Sequence, residues 1–254
     1  MIDSHAHLDD DRLNVYEIVS TMKASGLEKI ITIGTKPEDL YKAVEIAREN
    51  KNVYACIAIH PYYADIYDEK VEKNIIDFAK DEKVVGIGEF GLDYHDYPGL
   101  PPKDVQMDVM EKQIKLAYSL KLPFSLHIRD AHGDALAILK KCKDYLKYSG
   151  IVHCFSGSKE IANEYIKLGL YISFSGSITY KKSYEEIIKS VPLDRMLFET
   201  DSPYLAPQGL RGQINEPKNT VITAKFVADT LDIDYKKLEA IERENIYRLF
   251  TKMK

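Results

Sequence analysis

Short runs of β-branched and other apolar residues recur along this 254-residue chain at intervals of roughly 30 residues, and this alternation constrains the fold more than any other feature. Eight runs have the length of a buried strand: 2–5, 29–33, 53–59, 84–88, 124–127, 151–154, 171–174 and 196–200. Between them, apolar residues return every three or four positions, as in core-facing helices, for example at 40–49, 104–120, 135–146 and 161–168. Strand then helix, eight times over, predicts a (β/α)8 barrel of the TIM type.

A doubly wound nucleotide-binding sheet is the competing architecture, because residues 86–91 match G-x-G-x-x-G directly after a predicted strand. A dinucleotide fingerprint must open a helix, so that free N–H groups meet the pyrophosphate. Here the chain continues into a predicted loop at 92–99, so we reject this interpretation and expect no organic cofactor. No linker-like shift in composition occurs, which predicts a single domain over residues 1–254.

Charge and cysteine content exclude several classes of protein. The net charge of -5 argues against binding along many phosphates, although a pocket can still hold one chain end. The three cysteines include no C-x-x-C pair, so neither a disulfide framework nor a thiolate zinc site is indicated. The chain starts without a basic and apolar leader and has no run of 18 apolar residues. We expect a cytoplasmic monomer rather than a secreted or membrane-spanning protein.

Residues able to bind metal stand at or just beyond the ends of the predicted strands, where barrel enzymes carry their active sites. His5 and His7 close the first strand, and residues two apart in an extended segment point to the same side. Glu89 follows a buried apolar run, and a buried carboxylate is costly unless it meets a cation. These three residues are therefore predicted metal ligands.

Three more candidates occupy equivalent positions. His127 and His153 each end an apolar run on adjacent strands, and Asp201 ends the last strand, which neighbours the first. A single histidine at such a place is more often structural, and Asp201 could instead cap the following turn. Two histidines at equivalent positions, with the first pair opposite them, favour a metal site.

Four imidazoles and two carboxylates exceed the needs of one catalytic zinc, so we predict two divalent ions. One ion is assigned to His5, His7 and Asp201 and the other to His127 and His153, with Glu89 bridging them. Two cations about 3.5–4 Å apart activate a shared water for hydrolysis, which makes Glu89 and the proton acceptor Asp201 the catalytic carboxylates. These ligands suit Mg, Mn or Zn, and the sequence does not choose among them.

Other residues are candidates for substrate contact. His60 faces the barrel mouth after the third strand and can either bind a phosphate or pack against its neighbours. Arg129 suits a phosphate clamp, the alternative being an ion pair with a nearby aspartate. Tyr204 can stack on a base, and Arg211 is a further possible phosphate contact. Asp93 either orients a metal-binding histidine or forms a turn.

Several motifs together resemble the TatD family of metal-dependent deoxyribonucleases, within the amidohydrolase-like superfamily. They are IDSHAHL at 2–8, IHP at 59–61, GIGEFGLDY at 86–94, LHIR at 126–129, HCFSG at 153–157 and ETDSPYLAP at 199–207. The resemblance implies a TIM-type barrel, two metals at the six residues already chosen, and 3′-5′ exonuclease action on single-stranded DNA ends. Two positions depart from the family pattern: Ala58 replaces a glycine, and Ile214 replaces a basic residue that would contact phosphate.

Two other functions fit the same residues. A two-metal barrel can also hydrolyse a small amide, lactone or phosphotriester. A closed apolar cavity favours such a substrate, whereas an open groove with Arg129, Arg211 and Lys218 along it favours a nucleic-acid end. A catalytically idle metal-binding scaffold is disfavoured, because all six ligands are retained.

Overall fold

Eight parallel strands form a nearly closed barrel at the centre of the computed structural model, which describes residues 1–254. Each strand pairs with the next in chain order. The strands are β1 (Ile2–Ala6), β2 (Lys29–Gly34), β3 (Val53–Ile57), β4 (Val84–Asp93), β5 (Phe124–Arg129), β6 (Gly150–Val152), β7 (Tyr171–Phe174) and β8 (Met196–Phe198). This order confirms the predicted (β/α)8 barrel.

Nine α-helices connect the strands and follow the last one. They are α1 (Val15–Ser25), α2 (Pro37–Glu49), α3 (Glu69–Phe78), α4 (Lys103–Leu120), α5 (His132–Lys141), α6 (Lys159–Lys167), α7 (Tyr184–Ser190), α8 (Thr220–Leu231) and α9 (Tyr235–Leu249). The helix predicted at 135–146 is shorter than expected, because α5 ends at Lys141 and a 3-10 turn, Lys143–Tyr145, follows. None of the helices combines the length and apolar character needed to cross a membrane.

A separate cluster of buried side chains fills the barrel interior at the amino ends of the strands. Seven strands contribute to it, for example through Ile31 and Val85, and Ile246, Leu249 and Phe250 at the end of α9 cover it. Lys252, just after α9, donates a hydrogen bond to the Val84 carbonyl at the start of β4 (2.7 Å). This apolar plug leaves only the carboxyl end of the barrel open to solvent, which is where barrel enzymes place polar groups.

The seam between β8 and β1 is closed by loop contacts rather than by a regular strand pair. An isolated bridge joins Ala6 to Ser202. The His7 N–H donates to the Ser202 carbonyl (2.8 Å), and the Asp201 N–H donates to the His5 carbonyl (2.9 Å). The seam therefore runs directly beside three of the predicted metal ligands.

The fourth strand is longer than the sequence indicated. Leu92 and Asp93, which were expected in a loop, pair with the end of β5 instead. Glu89 consequently lies inside β4, four residues before its end, and the loop begins at Tyr94. The prediction that Glu89 ends its strand was wrong, although its side chain still reaches the barrel mouth.

Glycines in β4 permit a close approach to β5. A Cβ on Gly88 would lie 2.6 Å from the Cβ of Ser125, and Gly91, with a φ of 148°, has no room for a Cβ beside the His127 carbonyl. Only glycine tolerates both the conformation and the contact. The G-x-G-x-x-G match thus reflects strand packing, in agreement with the rejection of a nucleotide site.

Three strands end two residues earlier than predicted, at Ile57, Val152 and Phe198. Beyond each end, a backbone N–H donates to a side chain instead of a neighbouring strand: Ile59 to Gln113 (2.8 Å), Cys154 to Glu199 (2.7 Å) and Thr200 to Asp3 (3.0 Å). One residue before each of these donors, Ala58, His153 and Glu199 still donate to carbonyls of the neighbouring strands. Ladder pairing therefore stops within two residues of each strand end, where the chain enters the barrel mouth.

Candidate metal centre

The six predicted metal ligands converge at the carboxyl end of the barrel, with Glu89 in the middle. Its Oε1 atom lies 2.8 Å from His127 Nδ1 and 2.8 Å from His153 Nε2. Its Oε2 atom lies 3.3 Å from His5 Nε2 and 3.7 Å from His7 Nε2. Each carboxylate oxygen thus faces one histidine pair, which is the geometry that a bridging ligand requires.

Asp201 completes the group around the first histidine pair. Its Oδ1 atom lies 3.3 Å from His7 Nε2 and 3.7 Å from His5 Nε2. The residue has a left-handed backbone with a φ of 54°, a conformation in which Asp is more frequent than most residues. Its side chain is 16% exposed, whereas that of Glu89 is 4% exposed. Asp201 is therefore the more accessible of the two carboxylates.

Carboxylates behind two histidines determine which ring nitrogen faces the centre. Asp93 Oδ2 lies 2.8 Å from His127 Nε2, so His127 presents Nδ1 to Glu89. Glu199 Oε1 lies 3.3 Å from His153 Nδ1, so His153 presents Nε2. The structure thus contains the contact that the sequence suggested for Asp93, because a metal-binding imidazole usually donates its other N–H in this way.

Sequence reasoning missed Glu199. It is fully buried, its Oε2 atom has no hydrogen-bond partner, and it forms one possible donor set with His5 and His153. A signal was available: Glu199 lies in the predicted strand 196–200, directly after a buried apolar run, and a buried carboxylate calls for a cation. The argument that selected Glu89 applies equally to Glu199.

His60 lies closer to the centre than a peripheral substrate contact would. Its Nε2 atom is 3.6 Å from Glu89 Oε1, and it forms a possible donor set with Glu89 and His127. Burial lowers the pKa of His60 to about 3, so the ring is neutral. Since Nδ1 accepts the Tyr62 N–H (3.1 Å), the proton of the neutral ring is on Nε2. Nε2–H then points into the site as a hydrogen-bond donor.

The donor set fits divalent cations. Burial opposes ionisation of Glu89, yet the surrounding histidines hold its pKa well below the ordinary value, so the buried carboxylate is charged. Burial likewise opposes a charge on His7, but the Asp201 hydrogen bond and charge outweigh it and raise the His7 pKa to about 9. His5 Nε2 is buried without a hydrogen-bond partner. A bound cation would neutralise the Glu89 carboxylate and would give His5 Nε2 a partner.

A pocket of about 940 Å³ opens over this centre. Arg129, Tyr204 and His60 line it, as expected of substrate-binding residues. Arg211 does not line it; this side chain is exposed, and its guanidinium carbon lies 5.8 Å from the Tyr180 ring centroid. The contact between Arg211 and substrate therefore stays a prediction: the side chain is outside the pocket lining, beside Tyr180 in the segment after β7.

Comparison with known proteins agrees with this architecture. A family model described as TatD related DNase matches residues 2–251. YabD of Bacillus subtilis (strain 168), named an uncharacterized metal-dependent hydrolase, is 38% identical over 254 residues, covering 98% of each chain. The 3'-5' ssDNA/RNA exonuclease TatD of Cronobacter sakazakii is 32% identical over 243 residues, covering 93% of this chain and 91% of its own.

A solved structure extends the agreement to three dimensions. YJJV, a TatD homolog from Escherichia coli K12, superposes with a TM-score of 0.92 at 28% identity, covering 99% of this chain and 98% of its own. The resemblance inferred from the motifs is thereby confirmed over nearly the whole chain. The chain belongs to the TatD family of metal-dependent hydrolases.

Proposed function

We propose that the protein is a two-metal phosphodiesterase that removes nucleotides from the 3′ end of single-stranded DNA. The observation that carries the proposal is the position of Glu89, whose two oxygens face two separate histidine pairs. Ions held there supply Lewis-acid activation of water and neutralise charge on a phosphodiester. His5, His7 and Asp201 would hold the first ion, His127 and His153 would hold the second, and Glu89 would contact both.

Asp201 is the proton acceptor in this proposal. Although burial raises its pKa, the hydrogen bond and charge of His7 outweigh burial and lower it, so the carboxylate is ionised near neutral pH. It is also the more exposed carboxylate of the pair and lines the pocket. Asp201 can thus accept a proton from attacking water, while buried Glu89 remains a fixed anion between the histidines.

A phosphodiester is the substrate most consistent with the pocket. Its lining is mainly polar, with eight hydrophobic residues among 24, and it is open to solvent, unlike the closed apolar cavity that a small amide or lactone would favour. His60 Nε2 and Arg129 add donors suited to phosphate oxygens. The name of the Cronobacter relative supports a single-stranded 3′ end and leaves both DNA and RNA to be tested.

Asp201→Asn is the sharpest test. Asparagine matches aspartate in size and tolerates the left-handed backbone, but cannot accept the proton. With a 5′-labelled single strand and added Mn²⁺ or Mg²⁺, wild type should shorten the strand from its 3′ end. The variant should turn over about 10²–10⁴-fold more slowly. Asp194→Asn, an exposed position at the opposite end of the barrel, is the matched control.

Two outcomes would overturn the proposal. One is wild-type protein that releases no nucleotide from DNA or RNA strands with any of Mg²⁺, Mn²⁺ or Zn²⁺. The other is equal turnover by Asp201→Asn and wild type. Release from the 5′ end alone would retain the phosphodiesterase and reject the proposed polarity.

A further inference from the structure

Aromatic rings lead outward from the metal centre along one wall of the pocket. The His60 ring centroid is 4.5 Å from that of His127, and Tyr62 is 4.5 Å beyond His60. Tyr97 follows at 5.8 Å from Tyr62. We call His60, Tyr62 and Tyr97 the aromatic ladder. Its inner end is buried, whereas Tyr62 and Tyr97 are 36% and 41% exposed, so two rings face the pocket opening.

Arg129 stands at the outer end of the ladder as a cation without a carboxylate partner. Of the three lysine and arginine side chains that line the pocket, Lys36 and Lys42 pair with Asp39 (3.9 Å) and Asp11 (3.1 Å). Arg129 forms no ion pair. Its Nη1 donates to the Tyr97 hydroxyl (3.1 Å), and its guanidinium carbon lies 5.4 Å from the Tyr97 ring centroid. The remaining guanidinium donors are available to an anion.

The opposite rim differs in charge. In an eight-stranded barrel β5, which carries Arg129, lies across from β1. The pocket residues that follow β1 are His7 and three aspartates, of which Asp10 pairs with Arg12 (2.7 Å) and Asp11 with Lys42. A polyanion leaving the centre on that side would meet Asp9 and two cations already paired with carboxylates. On the β5 side it meets aromatic faces and a guanidinium without a carboxylate partner.

We propose that the ladder and Arg129 form a subsite for the nucleotide just upstream of the scissile phosphate. Its base stacks on the face of Tyr97, whose ring plane stands 68° from that of Tyr62, and the next phosphate is bound by Arg129. The inference rests on the proposed exonuclease function and adds the path of the bound nucleic acid, which leaves the metal centre over β3, β4 and β5. Neither Tyr62 nor Tyr97 was among the residues predicted from the sequence to bind substrate.

Physical chemistry sets the expected size of the effect. Stacking of a base on an aromatic ring tolerates any sequence and contributes about 1–3 kcal/mol per base, which corresponds to roughly 5- to 150-fold in affinity. Purines have the larger stacking face. The subsite therefore predicts tighter binding when the penultimate base is a purine, with little dependence on which purine it is.

The first experiment removes the stacking face. KM is measured for the dinucleotide d(ApT), and for thymidine 5′-(ethyl phosphate), a diester that has no upstream base. The KM of wild type should be roughly tenfold lower for the dinucleotide than for the ethyl phosphate diester. Tyr97→Leu should reduce this ratio of KM values. Tyr97→Phe keeps the face and loses only the hydroxyl that holds Arg129, so it should preserve the ratio. Tyr16→Leu, far more exposed and outside the pocket, is the control.

The second experiment tests the phosphate contact. A neutral methylphosphonate placed one phosphate upstream of the scissile bond should raise the KM of wild type, and should have little effect on Arg129→Gln, where the cation is already lost. Thermal melting of each variant separates misfolding from lost binding.

The outcomes distinguish this subsite from the function on which it rests. If wild type cleaves neither diester, the proposed function fails. If it cleaves both, and Tyr97→Leu keeps the full dinucleotide advantage, the ladder does not bind the upstream base. An equal methylphosphonate effect in wild type and Arg129→Gln would remove Arg129 from the subsite.

Discussion

At the scale of single residues, Glu199 links the backbone to the metal centre. Its Oε1 accepts the Cys154 N–H (2.7 Å) and lies 3.3 Å from His153 Nδ1. One carboxylate thus fixes both the chain after β6 and the orientation of the imidazole. Such a partner raises the basicity of the ring nitrogen that faces the metal. Against the effect of burial, Glu89 and Glu199 together raise the pKa of His153.

Glu199→Gln tests this role. The amide oxygen can still accept the Cys154 N–H, so the fold should be retained, but the charge behind His153 is lost. We expect metal affinity to fall by about 10–100-fold, measured by calorimetric titration of Mn²⁺ or Zn²⁺. Glu186→Gln, at a highly exposed position, serves as the control. Unchanged affinity in Glu199→Gln would contradict the assigned role.

At the scale of elements, helix α9 contains a buried carboxyl group that lowers the stability of the folded protein. Glu242, in the middle of this helix, is fully buried, and neither carboxylate oxygen has a hydrogen-bond partner. Burial raises its pKa to about 8. The carboxyl group is therefore mainly protonated in the folded protein near neutral pH, and ionised in the unfolded chain.

This difference predicts a pH dependence of stability. Between about pH 4.5 and 8 the folded state binds the extra proton, so the contribution of Glu242 falls as pH rises, by up to about 1.4 kcal/mol per pH unit. The free energy of unfolding, measured with urea, should fall between pH 6 and pH 8 in wild type. This fall should exceed the fall in Glu242→Gln by roughly 1–3 kcal/mol.

The comparison uses the change with pH, because an uncharged glutamine at this site also lacks partners. Glu244→Gln, exposed on the same helix, should retain the wild-type pH dependence. If the free energy of unfolding falls by the same amount with pH in wild type and in Glu242→Gln, Glu242 ionises normally in the folded state.

At the scale of the whole molecule, the metal centre lies across the weakest closure of the barrel. His5 and His7 are on one side of the β1–β8 seam and Asp201 is on the other, and an isolated bridge is the only strand-type pairing between them. The remaining ligands come from β4, from β5 and from the turn after β6. Ions bound by all six residues would therefore hold the seam closed as well as serve catalysis.

Removal of the metal ions should destabilise the seam between β1 and β8. Ligand at 100 times its Kd stabilises a protein by about 2.7 kcal/mol per site. For a domain of this size, EDTA should lower the Tm by roughly 5–10 °C per site. Hydrogen exchange should rise at 2–8 and 196–204 more than in β2 and β3. A uniform change along the chain, or the same EDTA effect in Glu89→Gln as in wild type, would contradict this role.

The sequence alone determined the fold and most of the candidate centre. Strands and helices leave a local signature, because the spacing of apolar residues must match the element that buries them, so all eight strands were found and 171–174 matched β7 in full. The six predicted ligands converge in the structure for a related reason: polar residues directly after buried strands must meet at one end of a parallel barrel.

Only the tertiary structure decided the remainder. The length of β4 follows from glycine contacts with β5, and the early end of β8 follows from the carboxylate of Asp3, 197 residues away from Thr200. Tyr97 lines the pocket and Arg211 does not, and this difference depends on the paths of the two loops that carry them. Such distances join residues far apart in the chain, and local periodicity carries no information about them. The sequence thus determined which strands bring the predicted metal ligands to the barrel mouth. Packing between strands and the paths of the loops decided which other side chains join them there.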